Sequence, residues 1–322
     1  MQQVLNDCRL SVVVPVYGNE GEITNLLSAL RWIQDQVDGR SEAILVVDGS
    51  PDRSLAELLE NLPDSGVNAK LVSLTRNFGS FAAIRTGLGI ATGNSIGVMA
   101  ADLQEPKEIM LEFLDALEND GADVVVGVRT GRADGVVSSL FSRIFWGFYR
   151  RFIVSNIPKG GVDVFGLTAS ARDRLLLMNE RNSSLVAQLF WIGGVRKVVP
   201  YFRAERQIGR SAWTFGKKFT YMLDSIFAFT DLPLRLLMHV GALGLIVSTV
   251  LGLVTVIGKF TGTIHVPGYA LTMLTILTFG ALNSLGLGFV GMYAWRAYEN
   301  TKQRPQSIIQ FTKNYENKGN QE

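Results

Sequence analysis

The sequence predicts an α/β domain with a mostly parallel sheet flanked by helices, followed by an interfacial amphipathic segment and a two-helix transmembrane hairpin. Two observations carry this prediction. Short apolar runs alternate with helical patterns over the first two hundred residues, and two long uncharged runs follow later in the chain. The resulting order, βαβαβαβ, is typical of parallel sheets that are covered by helices on both faces.

The predicted strands are short runs rich in Val, Ile and Leu: Leu10–Val16, Ala43–Val47, Lys70–Leu74, Ser95–Ala100 and Asp123–Val128. Apolar residues at helical spacing predict the helices between these strands, and the third helix is expected to begin near Pro106. Ligands bind outside the carboxyl ends of the strands in such sheets. The residues that directly follow each strand are therefore the candidates for chemistry.

The transmembrane hairpin is predicted from two runs that lack Asp, Glu, Lys and Arg. Leu236–Gly258 reaches about 35 Å at about 1.5 Å per residue, enough for a hydrocarbon core of about 30 Å. The second run extends from Phe260 to Trp295, and Pro267 and Gly268 interrupt it near its start. Buried helices of a soluble protein are the alternative, but such helices seldom stay uncharged over this length.

Basic residues precede the first run and follow the second, whereas the turn between the runs holds only Lys259. Positive charge is retained on the cytosolic side, so both termini and the first domain are expected there, at the inner (cytoplasmic) membrane. The predicted organisation is a cytosolic domain at 1–205, an amphipathic segment at 206–235, transmembrane helices at 236–258 and 268–295, and a cytosolic tail at 296–322.

Composition excludes several classes of protein. A single cysteine, Cys8, forms no internal disulfide and no cysteine-based zinc site, and two histidines are too few for a polyhistidine metal centre. The formal net charge is only +2, so no nucleic-acid partner is expected. His239 and His265 lie in or beside the predicted spans, where a structural or interfacial role is favoured over a catalytic one.

Polar motifs follow four successive strands at the predicted crevice: Pro15-Val16-Tyr17-Gly18-Asn19-Glu20, Asp48-Gly49-Ser50-Pro51-Asp52, Arg76-Asn77-Phe78-Gly79 and Asp102-Leu103-Gln104-Glu105-Pro106. Each motif alone is ordinary turn chemistry. Four of them at successive strand ends favour a ligand site.

These motifs resemble the family 2 glycosyltransferases with a GT-A fold, and among them the dolichyl-phosphate mannose synthase-like branch, which includes bactoprenol glucosyltransferases. The segment Leu74–Glu105 carries the most specific part of the match. The resemblance covers most of residues 8–230 and implies a GT-A-like sheet. It also implies transfer of one sugar from a nucleotide sugar to a polyprenyl phosphate.

By position, the resemblance assigns Pro15, Tyr17, Glu20, Asp48 and Asn77 to the nucleotide-sugar pocket. Asp48 would accept a hydrogen bond from the base, a role that suits an ionised carboxylate facing an imide N–H. The family commonly has two consecutive aspartates at this point, whereas here Val47 precedes Asp48.

The resemblance also implies a divalent cation, magnesium or manganese, held by the Asp102 carboxylate and the Gln104 carbonyl. Hard cations prefer oxygen ligands, and magnesium often takes only one or two from the protein. The family motif usually reads Asp-x-Asp, whereas here Ala100 and Ala101 precede Asp102. One carboxylate is therefore missing. A helix cap near Pro106 is the structural alternative for Asp102.

Arginines are the expected ligands of the lipid phosphate, and the resemblance points to Arg129 and Arg143. Arg206 and Arg210, before the amphipathic stretch Trp213–Phe229, are further candidates. Contact with anionic headgroups is the alternative for basic residues so close to a membrane. The aromatic residues of the stretch are expected either to lie in the interface or to pack against the spans.

The resemblance implies two catalytic residues, Asp102 of the metal motif and Asp163, which falls where the family places an acidic residue near the reacting sugar. As a base or an orienting group it fits an inverting single displacement. Its alternatives are a cap on the helix from Ser170 and an ion pair with Arg172 or Arg174.

The favoured function is a membrane-anchored inverting hexosyltransferase that uses UDP-glucose and undecaprenyl phosphate, with the nucleotide sugar, the lipid acceptor and the bilayer as partners. The alternatives are GDP-mannose or UDP-GlcNAc as donor, a catalytically silent nucleotide-binding scaffold, and a lipid-sugar flippase. A processive synthase is disfavoured because Gln207-Ile208-Gly209-Arg210 is followed by Ser211 and not by Trp. Glycines at 280, 286, 288 and 291 permit close helix contact and favour a homo-oligomer.

Overall fold

The computed structural model describes residues 8–130, 147, 157–158, 162–180, 183–202, 223–230, 232–261 and 268–316. The strands in this part of the chain are β1 (Leu10–Val16), β2 (Ser41–Val47), β3 (Ala69–Leu74), β4 (Ser95–Val98), β5 (Val124–Arg129), β6 (Phe165–Thr168), β7 (Arg196–Tyr201) and β8 (Ile309–Tyr315). The helices are α1 (Ile23–Gln36), α2 (Ser54–Asn61), α3 (Ser80–Ile90), α4 (Ile109–Glu118), α5 (Ala169–Leu176), α6 (Leu185–Trp191), α7 (Leu223–Phe229), α8 (Leu232–Phe260) and α9 (Tyr269–Thr301).

The strands form one sheet in the order β7-β5-β6-β4-β1-β2-β3-β8. Strands β1 to β4 run parallel, and β5 pairs in parallel with β7. Two strands depart from this direction, because β6 is antiparallel to β4 and β5, and β8 is antiparallel to β3. The α/β architecture with a mostly parallel sheet and flanking helices is confirmed.

Successive side chains along each strand point to opposite faces of the sheet, so the hydrophobic core forms one layer on each face. Val12 and Val14 of β1 pack on the face that carries α1 and α4, whereas Val13 packs on the opposite face with α3, α5 and α6. All three valines are 2% exposed or less. Both faces of the sheet are therefore buried, as the continuous apolar strands predict.

Strand β8 comes from the segment predicted as a cytosolic tail, and it forms the sheet edge beside β3. Its pairing runs from Ala69 opposite Tyr315 to Leu74 opposite Ile309. Just before the strand, the carbonyl of Ile308 accepts from the backbone N–H of Thr75 at 3.0 Å. The chain that leaves α9 thus returns to the domain at the start of the loop after β3.

The two long helices α8 and α9 contain 29 and 33 residues and include both predicted spans. Large apolar side chains along them are exposed, for example Leu243, Ile246 and Leu287 at 61 to 65%. Within the described residues no individual helix meets the length and hydropathy criteria for crossing a membrane, and only α7 taken together with Leu232–Gly244, bent by 82°, does so.

Helix α7 is the described end of the predicted amphipathic stretch, and it packs against α9 and against residues of the domain around α6. The ring of Phe227 contacts Phe289 and Tyr293 of α9, with centroids 6.2 and 5.3 Å apart. Arg296 of α9 pairs with Asp224 at 2.6 Å. For this part of the stretch, packing against the neighbouring helices is the observed arrangement.

Candidate active site

The candidate site lies at the carboxyl ends of the parallel strands, where the strand order reverses. Strand β1 has β2 on one side and β4 on the other, both in parallel. The chain leaves β1 toward β2 and leaves β4 toward β5, which are opposite directions along the sheet. The loops after β1 and β4 therefore diverge. Ligands of open α/β sheets bind in the crevice that such a divergence creates.

Asp52 holds together the loops that follow β1 and β2. Its carboxylate accepts from the backbone N–H of Glu20 at 3.0 Å and from the hydroxyls of Ser50 and Ser54 at 2.5 and 2.9 Å. Burial acts to raise the pKa of Asp52, but these hydrogen bonds outweigh it and lower the pKa below its usual value. The loops after β1 and β2 therefore form one hydrogen-bonded unit at the crevice.

Three residues predicted to bind the nucleotide sugar lie in or before the loop after β1. Pro15 is half-buried near the end of β1, and the Tyr17 side chain is 43% exposed. The Glu20 carboxylate accepts from the backbone N–H of Arg53 at 3.2 Å, just before α2. Tyr17 therefore offers an open ring to a ligand, while Glu20 also holds the start of α2.

Asp48 is buried at the end of β2, with 2% of its surface exposed. Its two oxygens accept from the backbone N–H groups of Phe78 and Gly79 at 2.7 and 2.8 Å. Burial raises the pKa of Asp48, although these bonds and the nearby Arg76 charge act in the opposite direction. The carboxylate therefore fixes the loop after β3, and its remaining lone pairs are what it offers to a base.

The loop after β3 contains the predicted residue Asn77 and lies directly on the loop after β2. The guanidinium of Arg76 sits 4.1 Å from the centroid of the Phe78 ring and donates to the Asn77 carbonyl at 3.1 Å. Arg76 is an exposed cation at the crevice that the motif analysis did not assign to a role. A cation at this position suits the diphosphate of a nucleotide sugar.

The loop after β4 carries the predicted metal ligands Asp102 and Gln104. Leu103 between them has a left-handed backbone, φ 47°, which is uncommon for a residue other than glycine. Its side chain packs on the hydrophobic core. Within the same turn the Gln104 backbone nitrogen lies 3.5 Å from Asp102 Oδ1. Non-glycine residues in this conformation concentrate at functional sites.

The donor set of this loop fits a hard cation. Asp102 supplies a carboxylate and Gln104 an amide oxygen, and magnesium commonly takes only one or two protein ligands. No group of three His, Cys, Asp or Glu side chains converges on one point in the part of the chain that the structure describes. The capping alternative for Asp102 is not observed, because α4 begins after Glu108 with no side-chain cap.

Strand β6 brings the predicted catalytic residue Asp163 to the same edge of the sheet. Because β6 is antiparallel, its first residue, Phe165, lies opposite Val98 of β4 and Val126 of β5. Asp163 precedes β6, and Arg129 is the last residue of β5. With neighbouring strands about 4.8 Å apart, Val98 and Val126 lie about 10 Å apart across β6, and β5 continues beyond this level to Arg129.

Asp163 pairs with Arg129 through Arg129 Nε, and the same Asp163 oxygen accepts from the Tyr201 hydroxyl at 3.2 Å. The alternatives for Asp163 are not observed. Arg172 pairs with Asp173, Arg174 pairs with Asp123, and Thr168 caps α5.

Charge and burial shift the pKa values of Arg129 and Tyr201, the two partners of Asp163. Burial acts to lower the pKa of Arg129, but Asp163 outweighs it and the net shift is upward. Burial raises the pKa of the Tyr201 hydroxyl, and the charges of Asp163 and Glu105 raise it further. Glu105 belongs to the loop after β4, so the Tyr201 hydroxyl is within electrostatic range of that loop as well as of Asp163.

The remaining predicted phosphate ligands, Arg143, Arg206 and Arg210, lie outside the described residues. Besides Arg76, two residues of the site, Asp52 and Tyr201, were assigned no role from the sequence. Asp52 had a signal, because Asp-x-Ser at the start of a helix is typical of side-chain capping of backbone N–H groups. Tyr201 follows Val198-Val199-Pro200, a run that is compatible with an edge strand and thus with another strand end.

The sequence model of glycosyl transferase family 2 matches residues 11–177. A putative glycosyltransferase, CsbB of Bacillus subtilis, is 33% identical over 93% of this chain and 91% of its own length. A prophage bactoprenol glucosyl transferase homolog of Escherichia coli is 29% identical over 95% and 99%. Among solved structures, S. aureus TarS 1-349 in complex with UDP-GlcNAc aligns with a TM-score of 0.48 at 20% identity, covering 69% of this chain and 67% of that one.

Proposed function

This chain belongs to glycosyl transferase family 2, and we propose that it moves one hexose from a nucleotide sugar to the phosphate of a polyprenyl phosphate. The relative from E. coli, named a bactoprenol glucosyl transferase homolog, aligns with this chain over nearly the full length of both. That full-length similarity supports undecaprenyl phosphate as acceptor and UDP-glucose as donor. GDP-mannose and UDP-GlcNAc are the alternative donors.

One observation carries the proposal. Asp163, which precedes the antiparallel strand β6, and its partner Arg129, which ends β5, lie at the same carboxyl edge of the sheet as the loop of Asp102 after β4. In the proposed arrangement the nucleotide diphosphate binds at Asp102 and the acceptor phosphate at Arg129, with the transferred sugar between them. A direct transfer between two ligands requires this arrangement.

The chemistry fits a single displacement. A phosphate oxygen of the acceptor attacks the anomeric carbon of the sugar, and the bond from that carbon to the nucleotide diphosphate breaks, which inverts the configuration. A phosphate monoester has a second pKa near 6 and is largely dianionic at neutral pH. The nucleophile is therefore charged already, and the task of the protein is to align it and to offset negative charge.

The residues divide this task by position. In this proposal Arg129 holds the acceptor phosphate, and Asp163 orients the reacting sugar or the attacking oxygen. Tyr17, Asp48 and Asn77 bind the nucleotide sugar. A divalent cation held by Asp102 and Gln104 would neutralise the leaving diphosphate when bound.

The lipid acceptor also requires attachment to a membrane, and we propose that α8 and α9 form a hairpin in the bilayer. Exposed apolar side chains along both helices support this assignment, because soluble surfaces rarely expose so much apolar area. At the end of α9, Trp295 and Tyr298 flank Lys302, whose ammonium lies 5.0 and 4.3 Å from their ring centroids. Tryptophan, tyrosine and lysine are typical of the membrane interface.

Transfer of labelled glucose from UDP-glucose to extractable polyprenyl phosphate, in membranes that contain the full chain, tests the proposal. We expect Asp102→Ala to abolish transfer, while Asp115→Ala on the outer face of α4 keeps it. Arg129→Ala is expected to raise the KM for the acceptor, with Arg40→Ala as the matched control. No transfer by the unaltered chain from any of the three nucleotide sugars would refute the proposed function.

A further inference from the structure

Asp163 is shared between two partners that come from different strands. The Arg129 guanidinium and the Tyr201 hydroxyl both bind Asp163 Oδ2. The two partners differ in exposure. The Arg129 and Asp163 side chains are about one third exposed, whereas Tyr201 is 4% exposed.

We propose that Tyr201 is a positioning residue that holds Asp163 in place while Arg129 exchanges Asp163 for the acceptor phosphate. The inference rests on the proposed function and extends it. In the absence of the acceptor, Asp163 and Arg129 neutralise each other. When the acceptor phosphate binds the Arg129 guanidinium, the ion pair between Arg129 and Asp163 breaks and Asp163 becomes available to the reacting centre. The hydrogen bond from the Tyr201 hydroxyl then keeps the Asp163 carboxylate in its orientation.

The exchange is favoured by charge and by access. A phosphate monoester brings about 1.5 to 2 negative charges at neutral pH, against one on Asp163, and it binds guanidinium in a bidentate manner. The bond to Asp163 uses only Nε of Arg129, and the guanidinium has four further N–H donors. Because the pair is partly exposed, its attraction is screened by water and is weak enough to be replaced.

Tyr201 is fixed independently of Asp163. It is the last residue of β7, opposite Arg129 in register, and its carbonyl accepts from the backbone N–H and the hydroxyl of Thr130 at 2.8 and 3.0 Å. Its ring packs against Gly127, where an added Cβ would lie 3.2 Å from Tyr201 Cε1. The hydroxyl therefore stays at one point when Arg129 moves.

Tyr201→Phe in the full-length protein tests the positioning role, because it keeps the ring and removes only the donor. A hydrogen bond to a charged group is commonly worth enough to change a rate by about tenfold or more. We expect kcat to fall about tenfold while both KM values change by less than about twofold. Tyr315→Phe on β8 is the matched control and should leave both parameters unchanged. Unchanged kcat in Tyr201→Phe would overturn the positioning role.

Asp163→Asn tests the exchange separately, by direct binding of geranyl phosphate to the detergent-solubilised protein. Removing the competing charge should tighten binding about twofold to fivefold, even though turnover falls. Equal or weaker binding would overturn the exchange. If the unaltered chain transfers no sugar, the proposed function fails; if it transfers sugar and either variant departs from expectation, only this inference fails.

Discussion

Replacing Gly49 by alanine should loosen the contact between the loops after β2 and β3, which together form part of the proposed nucleotide-sugar site. Gly49 has φ 57°, and a Cβ there would lie 2.3 Å from the Arg76 carbonyl carbon and 2.4 Å from the Asn77 nitrogen. A left-handed conformation costs an alanine about 1–2 kcal/mol. The overlap is with backbone atoms, which no side-chain rotation relieves, and overpacking adds about 1–3 kcal/mol.

Gly121→Ala separates these two contributions. Gly121 has a similar φ, 67°, but nothing lies within 4 Å of its added Cβ. The control therefore experiences only the backbone strain, and the difference between the two variants measures the overlap between the loops.

Thermal unfolding and UDP-glucose binding of the purified proteins measure the outcome. We expect Gly49→Ala to lose about 2–5 kcal/mol of unfolding free energy and to bind UDP-glucose more weakly, since the hydrogen bonds that Phe78 and Gly79 donate to Asp48 cannot both be kept. Gly121→Ala should lose about 1–2 kcal/mol and bind normally. Equal stability and equal binding in the two variants would refute the reasoning.

Three further outcomes are expected. Asp52→Ala should raise the KM for the nucleotide sugar, because it removes the carboxylate that joins the loops after β1 and β2; an unchanged KM in steady-state assays would contradict this. A chain that ends at Ser307 should bind UDP-glucose more weakly than one that ends at Glu316, since it loses β8 and the bond from Thr75 to Ile308; equal affinity by calorimetry would count against it. The Val195 N–H and Arg174 lower the pKa of Asp123 in the folded protein. The stability that Asp123 contributes is therefore present above its pKa in the unfolded chain, about 3.9, and is lost as the pH falls through its lower pKa in the folded protein. The difference in unfolding midpoint between wild type and Asp123→Asn should shrink between pH 7 and pH 3, and a constant difference would contradict the assignment.

The strands of the parallel sheet were predictable because their signal is local. Leu10–Val16 was predicted to the residue, and Lys70–Leu74 begins one residue late. Continuous apolar runs of this length are typical of strands that are buried on both faces. Apolar residues at helical spacing between the runs predict connecting helices, and alternating strands and helices favour a parallel sheet. The same patterning placed the polar motifs at strand ends, which is why Asp48 and Asp102 were candidates before their surroundings were known.

Strand β8 was not predictable in this way. Its residues are mostly exposed and polar, as in Gln310-Phe311-Thr312-Lys313-Asn314, and they follow the long helices by only a few residues. An edge strand buries little, so its sequence carries little apolar alternation. Its place beside β3 depends on a contact between segments that are more than two hundred residues apart.

The partner of Asp163 was also undetermined. Arg172 and Arg174 are near it in sequence, but Arg129 lies beside it in the fold because β6 runs antiparallel between β4 and β5. Tyr201 reaches the same oxygen only because β7 adds to the outer side of β5.

Local patterning thus accounts for which residues form strands, which polar residues follow the strand ends and which family the chain resembles. Each of these features depends on only a few consecutive residues. The direction of β6, the addition of β8 and the shared oxygen of Asp163 arise from pairing between distant segments. Such pairing is chosen by the packing and hydrogen bonding of the whole sheet, and no short stretch of residues encodes it.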